Sequence, residues 1–151
     1  MSDIALAYDP TMRHCDMVFD GTDFVVDATP ATPMLVALGT DRRAAADDDV
    51  PSDGGSFAAP TSLTARRGTV LDALDARGQM MGSRLWLLAD AKQSEATRRR
   101  AEAYASEPLA PLETELAIGI ALDVAWVADN RLRIRAQAGQ TAVSLAVATA
   151  A

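Results

Sequence analysis

Hydrophobic and polar residues alternate near both ends of the chain and take a helical spacing between them. The clearest alternation is C-terminal. Ile118, Ile120, Leu122, Val124 and Trp126 alternate with Gly119, Ala121, Asp123 and Ala125. Leu132, Ile134 and Ala136 then alternate with Arg131, Arg133 and Arg135, and Val143, Leu145 and Val147 alternate with Ala142, Ser144 and Ala146. Successive side chains of a strand point to opposite faces, so each run has one apolar and one polar face. Turns at Asp129-Asn130 and Gly139 join the runs, which predicts a three-stranded antiparallel meander. At the other end, Ile4, Leu6 and Tyr8 are followed by Cys15, Met17 and Phe19, then by Asp20-Gly21, Phe24 and Val26. This pattern predicts a β-hairpin within residues 3–27.

The middle reads as helices and loops. Thr32 is a capping hydroxyl and Pro33 suits a first helical position, so a short helix is expected at about residues 33–39, ended by Gly39. Residues 41–68 have little periodicity and contain Asp47-Asp48-Asp49, Pro51, Gly54-Gly55 and Pro60, the composition of a long loop. Val70, Leu71 and Leu74 suit a turn or two of helix. Ser83 is a plausible N-cap for another helix carrying Leu85, Trp86 and Leu88, residues expected in the core. From Ser94 a longer helix buries Ala101, Tyr104 and Ala105 and leaves Arg98, Arg99 and Glu102 elsewhere on its surface. An interior proline costs about 3 kcal/mol, so Pro108 and Pro111 predict a break near Ser106. The fold class is α+β: helices packed on a small antiparallel sheet, in one domain spanning residues 1–151.

Composition narrows the function. Apolar residues make up 49% of the 151 but aromatics only 5%, so the core is thin and partner contacts are expected to add stability. The net charge of -7 argues against nucleic acid and against an anionic membrane surface as partners. No apolar run approaches the roughly 18 residues of a membrane-spanning helix. The acidic N-terminus lacks an apolar leader, so a soluble protein made in the cytoplasm is expected. Cys15 is the single cysteine, and His14 beside it is the single histidine. A zinc site there would need several carboxylates, and the pair reads instead as a half-exposed strand end. Asp47-Asp48-Asp49 lacks the spacing and glutamate of a calcium loop and reads as solvated. No cofactor is expected. No nucleophile, phosphate-loop or zinc-protease motif is present. Glu107, Glu113 and Glu115 are the only candidates for a glycosidase pair, and they read more simply as surface acids.

Several segments, in order, carry a family resemblance: Asp3-Ile4-Ala5-Leu6 with Tyr8-Asp9, Thr40-Asp41-Arg42-Arg43-Ala44, Gly82-Ser83-Arg84-Leu85-Trp86-Leu87-Leu88, Lys92-Gln93, and Arg99 to Ala105. Together they resemble the small baseplate wedge protein of Mu-like phages, itself similar to the wider "lysozyme-like" wedge family of contractile tails. The resemblance covers roughly residues 3–138. Two elements depart from it. The central Gly-Trp-Trp-Gly is missing between Pro51 and Pro60, and the Glu-Pro-Arg motif before the meander survives only as Glu113 in Glu113-Thr114-Glu115. The resemblance implies a non-enzymatic virion component of the tail baseplate. Its partners would be other wedge proteins, the hub or spike region, and the first ring of sheath protein. A cell-wall glycosidase and an adaptor-type binding module are the alternatives.

Interface expectations follow. Arg42, Arg43 and Arg84 are expected to bridge carboxylates or carbonyls at subunit contacts, since the guanidinium fork binds carboxylates bidentately. The uncharged strand bearing Val143, Leu145 and Val147 would form an edge that templates another strand. The residues alone also allow that edge to be covered by the N-terminal hairpin. As the last and outermost strand, it is expected to be removable without unfolding the rest.

Overall fold

The computed structural model describes residues 3–9, 11–12, 14–51, 66–69, 72 and 78–150. Val70, Leu71 and Leu74, and most of the expected 41–68 loop, lie outside the described residues; 41–51 and 66–69 are irregular. Among the described residues the fold is α+β, with two α-helices and seven strands.

The N-terminal segment folds as paired short strands rather than one long hairpin. β1 (Asp3–Ile4) pairs antiparallel with β4 (Val26–Asp27), and β2 (Leu6–Asp9) pairs antiparallel with β3 (His14–Met17). Phe19 bridges to Phe24 around the Asp20-Gly21 turn. The three chain segments meet where Val18 N–H donates to Ala5 O, Val25 N–H to Val18 O and Ala5 N–H to Val25 O.

Helix α1 (Ala31–Gly39) begins without a side-chain cap, so the capping role expected of Thr32 is not used. Thr32 lies inside the helix and is 2% exposed. Its hydroxyl accepts from Leu6 N–H (3.2 Å) and donates to Asp27 Oδ2 (3.1 Å), and Asp27 Oδ2 also accepts from Thr32 N–H (3.1 Å). A hydroxyl satisfied by tertiary partners ties the N-terminal strands to α1.

Ser83 likewise does not cap a helix. Leu85–Leu88 form a single 3-10 turn that starts after Arg84. The Ser83 hydroxyl, 2% exposed, instead donates to Leu38 O at 2.7 Å. It thereby satisfies one of the carbonyls that the last turn of a helix leaves unpaired.

Helix α2 (Glu95–Leu116) corrects the expected break: it runs unbroken through Pro108 and Pro111. Each proline removes one main-chain donor, but its fixed φ is compatible with the helix. Pro108 and Leu109 are buried, and α2 packs on α1, on the 3-10 turn and on the sheet, so tertiary burial outweighs the local cost. Ser94 is the N-cap, its hydroxyl accepting from Thr97 N–H at 3.1 Å.

The meander is as the alternation predicts. β5 (Ala121–Ala128), β6 (Arg131–Ala138) and β7 (Thr141–Ala148) pair in the order β5-β6-β7, with a bulge between Trp126 and Ala128. Leu132, Ile134 and Ala136 on β6 are fully buried beneath Met34 and Leu38 of α1, Leu88 of the turn, and Ala101 and Ala105 of α2. The two alanines, one turn apart and both 0% exposed, let α2 approach the sheet closely. Of the residues expected in the core, Leu85 and Leu88 are buried, whereas Trp86 and Tyr104 are only half-buried.

Candidate interaction surfaces

Two sequence elements far apart in the chain are locked together. Ser83 N–H donates to Thr40 O (2.8 Å) and Arg42 N–H donates to Ser83 O (2.9 Å), a parallel bridge between Asp41 and Ser83. The Trp86 indole N–H then donates to Arg42 O at 2.8 Å, and the Arg67 guanidinium lies 4.6 Å from the centre of the Trp86 ring. Thr40-Asp41-Arg42 and Gly82-Ser83-Arg84-Leu85-Trp86 are therefore two halves of one structural unit. Gly82 makes it possible. Its φ is +88°, and a Cβ there would sit 2.3 Å from Thr40 O.

Charged side chains gather on this unit. Arg84 Nη1 reaches both oxygens of Asp48 at 3.1 Å, and its Nε and Nη2 both reach Glu107 Oε2 at 3.1 Å. Its guanidinium lies 4.8 Å from the centre of the Tyr104 ring. Arg42 pairs with the other oxygen of Glu107 at 3.4 Å. Burial works to raise the Asp48 carboxyl, but the Ala45 N–H and the Arg84 guanidinium hold it below the usual carboxylate range. Burial likewise works to lower Arg84, and Asp48 and Glu107 overcome it, so Arg84 is held above its ordinary value.

Arg84 and Arg42 thus bridge carboxylates of their own chain, while Arg43 is exposed with its Cβ side near Gly68. Sequence reasoning missed Asp48 and Glu107 as their partners. Asp48 sits in a run of three aspartates that looks solvated, and nothing in Glu107 marks it as an arginine ligand. Glu113 is structural too: Oε1 accepts from Ile120 N–H at 2.7 Å, and its carbonyl accepts from Ile118 N–H at 3.2 Å. It fixes the turn from α2 into β5, where Ala117 adopts φ 51°.

The remaining candidates lie on β7. Val143 and Leu145 are buried, at 6% and 8% exposure, and Val147 is half-buried against the same core. Their side chains are committed inward, and only the main chain is offered at the edge. The β6–β7 register and the Thr149 N–H to Asn130 O bond assign the odd-numbered peptide groups of β7 to β6. Those of Ala142, Ser144, Ala146 and Ala148 face away from it. Just beyond, Ala150 N–H closes the edge by donating to Ala91 O at 3.1 Å.

Among the described residues, β7 pairs only with β6, and the N-terminal strands form separate sheets. A cavity of about 590 Å³ and a neighbouring one of about 640 Å³, both lined by Leu6, Tyr8, Leu35 and Leu145, lie along β7 and the face of β2. Among the described residues no group of His, Cys, Asp and Glu could hold a metal ion, and no helix is long and apolar enough to cross a membrane.

Residues 30–144 match the family model described as phage protein GP46. The chain belongs to that family. It is similar to the baseplate protein gp46 of Escherichia phage Mu, 37% identical over 114 residues, which are 76% of this chain and 70% of that one. No solved structure matches the chain. The family resemblance read from the sequence is thereby established, and the matched span holds α1, both halves of the locked unit, α2 and most of the meander.

Proposed function

We propose that the protein is a structural, non-enzymatic component of a phage tail baseplate. In the virion it joins larger wedge subunits around the hub or spike region, and through β7 it nucleates the first ring of sheath subunits. The Mu relative, a baseplate protein by name, supports the baseplate role. The observation that carries the finer reading is the main-chain edge of β7, open from Ala142 to Ala148, uncharged and without proline. Natural edges of this kind are normally blunted by charge, proline or a covering element. An added strand gains affinity from main-chain hydrogen bonds. The glycosidase alternative finds little support, because Glu107 is ion-paired with Arg42 and Arg84, and Glu113 holds Ile120 N–H.

Deleting residues 141–151 is not a clean test, contrary to the expectation from strand order. It removes Val143 and Leu145 from the core, so the truncated protein should unfold. Ser144→Pro is cleaner. Proline is tolerated on an edge strand where its missing N–H faces outward, and the Ser144 side chain is exposed. In a phage carrying this variant, electron microscopy should show baseplates without sheath. Normally sheathed tails containing the variant would overturn the strand-pairing role.

A further inference from the structure

The N-terminal strands carry an apolar face that neither the fold nor the β7 edge uses. Ala5, Val18 and Val25 meet through main-chain bonds and are half-buried. Their chain neighbours are exposed: Ile4 (40%), Met17 (51%), Phe19 (58%), Phe24 (44%) and Val26 (64%). Ile4 pairs directly with Val26 and Phe19 with Phe24, and the two phenyl rings meet edge-to-face at 5.9 Å. Side chains alternate along a strand, so Phe24 shares a side with Val26, and Met17 with Phe19. The five therefore form one set. Scattered single apolar residues on a surface are ordinary, but a contiguous set of five large ones marks an interaction site. The face is also held rigid, since Asp27 and the buried Thr32 hydroxyl pin β1, β2 and β4 to α1. A preorganised face loses little freedom on docking.

The rim identifies the occupant. Asp3, Asp9, Asp16, Asp20, Asp23 and Asp27 fall within residues 1–29, against one arginine, Arg13. The arithmetic, one positive minus six negative charges, assigns this segment -5 of the chain's -7. The N–H groups of Asp23 and Thr22 hold the Asp20 carboxyl below its usual range, and those of Met12 and Thr11 do the same for Asp9. These acids therefore stay charged. Two copies docked through this face would set the acidic rims against each other, and an anionic lipid or nucleic-acid surface would be repelled in the same way.

We propose that the Ile4–Met17–Phe19–Phe24–Val26 face docks a different protein of the tail, one presenting an apolar patch rimmed by lysine or arginine. This contact is separate from the β7 edge and stands whether or not that edge pairs with sheath.

The test places a photo-crosslinking phenylalanine analogue at position 19 or 24 of the full chain, in phage particles, with mass spectrometric mapping of the crosslinked peptide. The expected result is one dominant crosslink to another tail protein, in an apolar segment flanked by basic residues. In the same particles, Phe19→Ser with Phe24→Ser should reduce incorporation about tenfold or more, the scale of a lost hot spot. The melting temperature of the free protein should be unchanged, because both rings are exposed. Asp16→Lys with Asp23→Lys should weaken incorporation in a way that depends on salt. A crosslink to a second copy of this chain, no crosslink in intact particles, or normal incorporation of the double serine variant would each overturn the proposal.

Discussion

Replacing Gly82 by alanine should destabilise the protein far more than the loss of one hydrogen atom suggests. Gly82 has φ +88°, where an L side chain is strained by about 1–2 kcal/mol. The added Cβ would also lie 2.3 Å from Thr40 O and 3.1 Å from Arg42 N, both backbone atoms that cannot swing aside as a side chain could. Relief requires the two strands of the locked unit to part. That puts at risk the Ser83-to-Thr40 and Arg42-to-Ser83 hydrogen bonds, each worth about 0.5–1.5 kcal/mol net. Together these effects predict a loss of about 2–5 kcal/mol, and for a chain of this size a fall in melting temperature of about 5–15 °C. The assay is thermal unfolding followed by tryptophan fluorescence, since the indole of Trp86 bonds to Arg42 O inside the unit. Gly39→Ala is the control. Gly39 ends α1 in open space, where an added methyl group would meet no atom within 4 Å, so its replacement should leave stability equal or slightly raised. A Gly82→Ala protein melting within about 2 °C of wild type would refute the reasoning, because neither the strain nor the clash could then be real.

Arg84→Lys keeps the charge but cannot hold Asp48 and Glu107 together while lying on Tyr104; it should cost about 1.5–3 kcal/mol by denaturant unfolding. Arg99→Lys, on an exposed ion pair, should cost far less, and equal effects would remove the special role of Arg84. The Glu95 carboxyl is pulled down to about 2 by Arg98 and Arg99. A depressed folded value means that its stabilisation is present above the ordinary carboxylate range near 4.5 and is lost as pH falls toward 2. The stability gap between wild type and Glu95→Gln should therefore narrow from about pH 6 to about pH 2 and shrink in high salt; a gap constant across that range would refute the pairing.

The meander was legible in the sequence because its information is local. Each strand carries its own alternation and each turn its own residues, and the register β5-β6-β7 follows with little help from the rest of the chain. The fold class and the family were legible for the same reason: short contiguous segments carry them. The tertiary structure decided whatever depends on contacts between distant segments. Thr32 and Ser83 carry the chemistry of helix caps, yet their hydroxyls bind Asp27 and Leu38, because buried polar groups take the partners that packing brings nearest. Pro108 and Pro111 stay helical because burial against α1 and the sheet outweighs a local penalty that sequence alone reports. The Arg84 cluster joins residues 36 and 23 positions apart, a proximity that no spacing rule encodes. The inward commitment of Val143 and Leu145 and the outward face of Phe19 and Phe24 have one physical origin. Alternation gives a strand two faces, and only the packing of the whole molecule chooses which of them meets water.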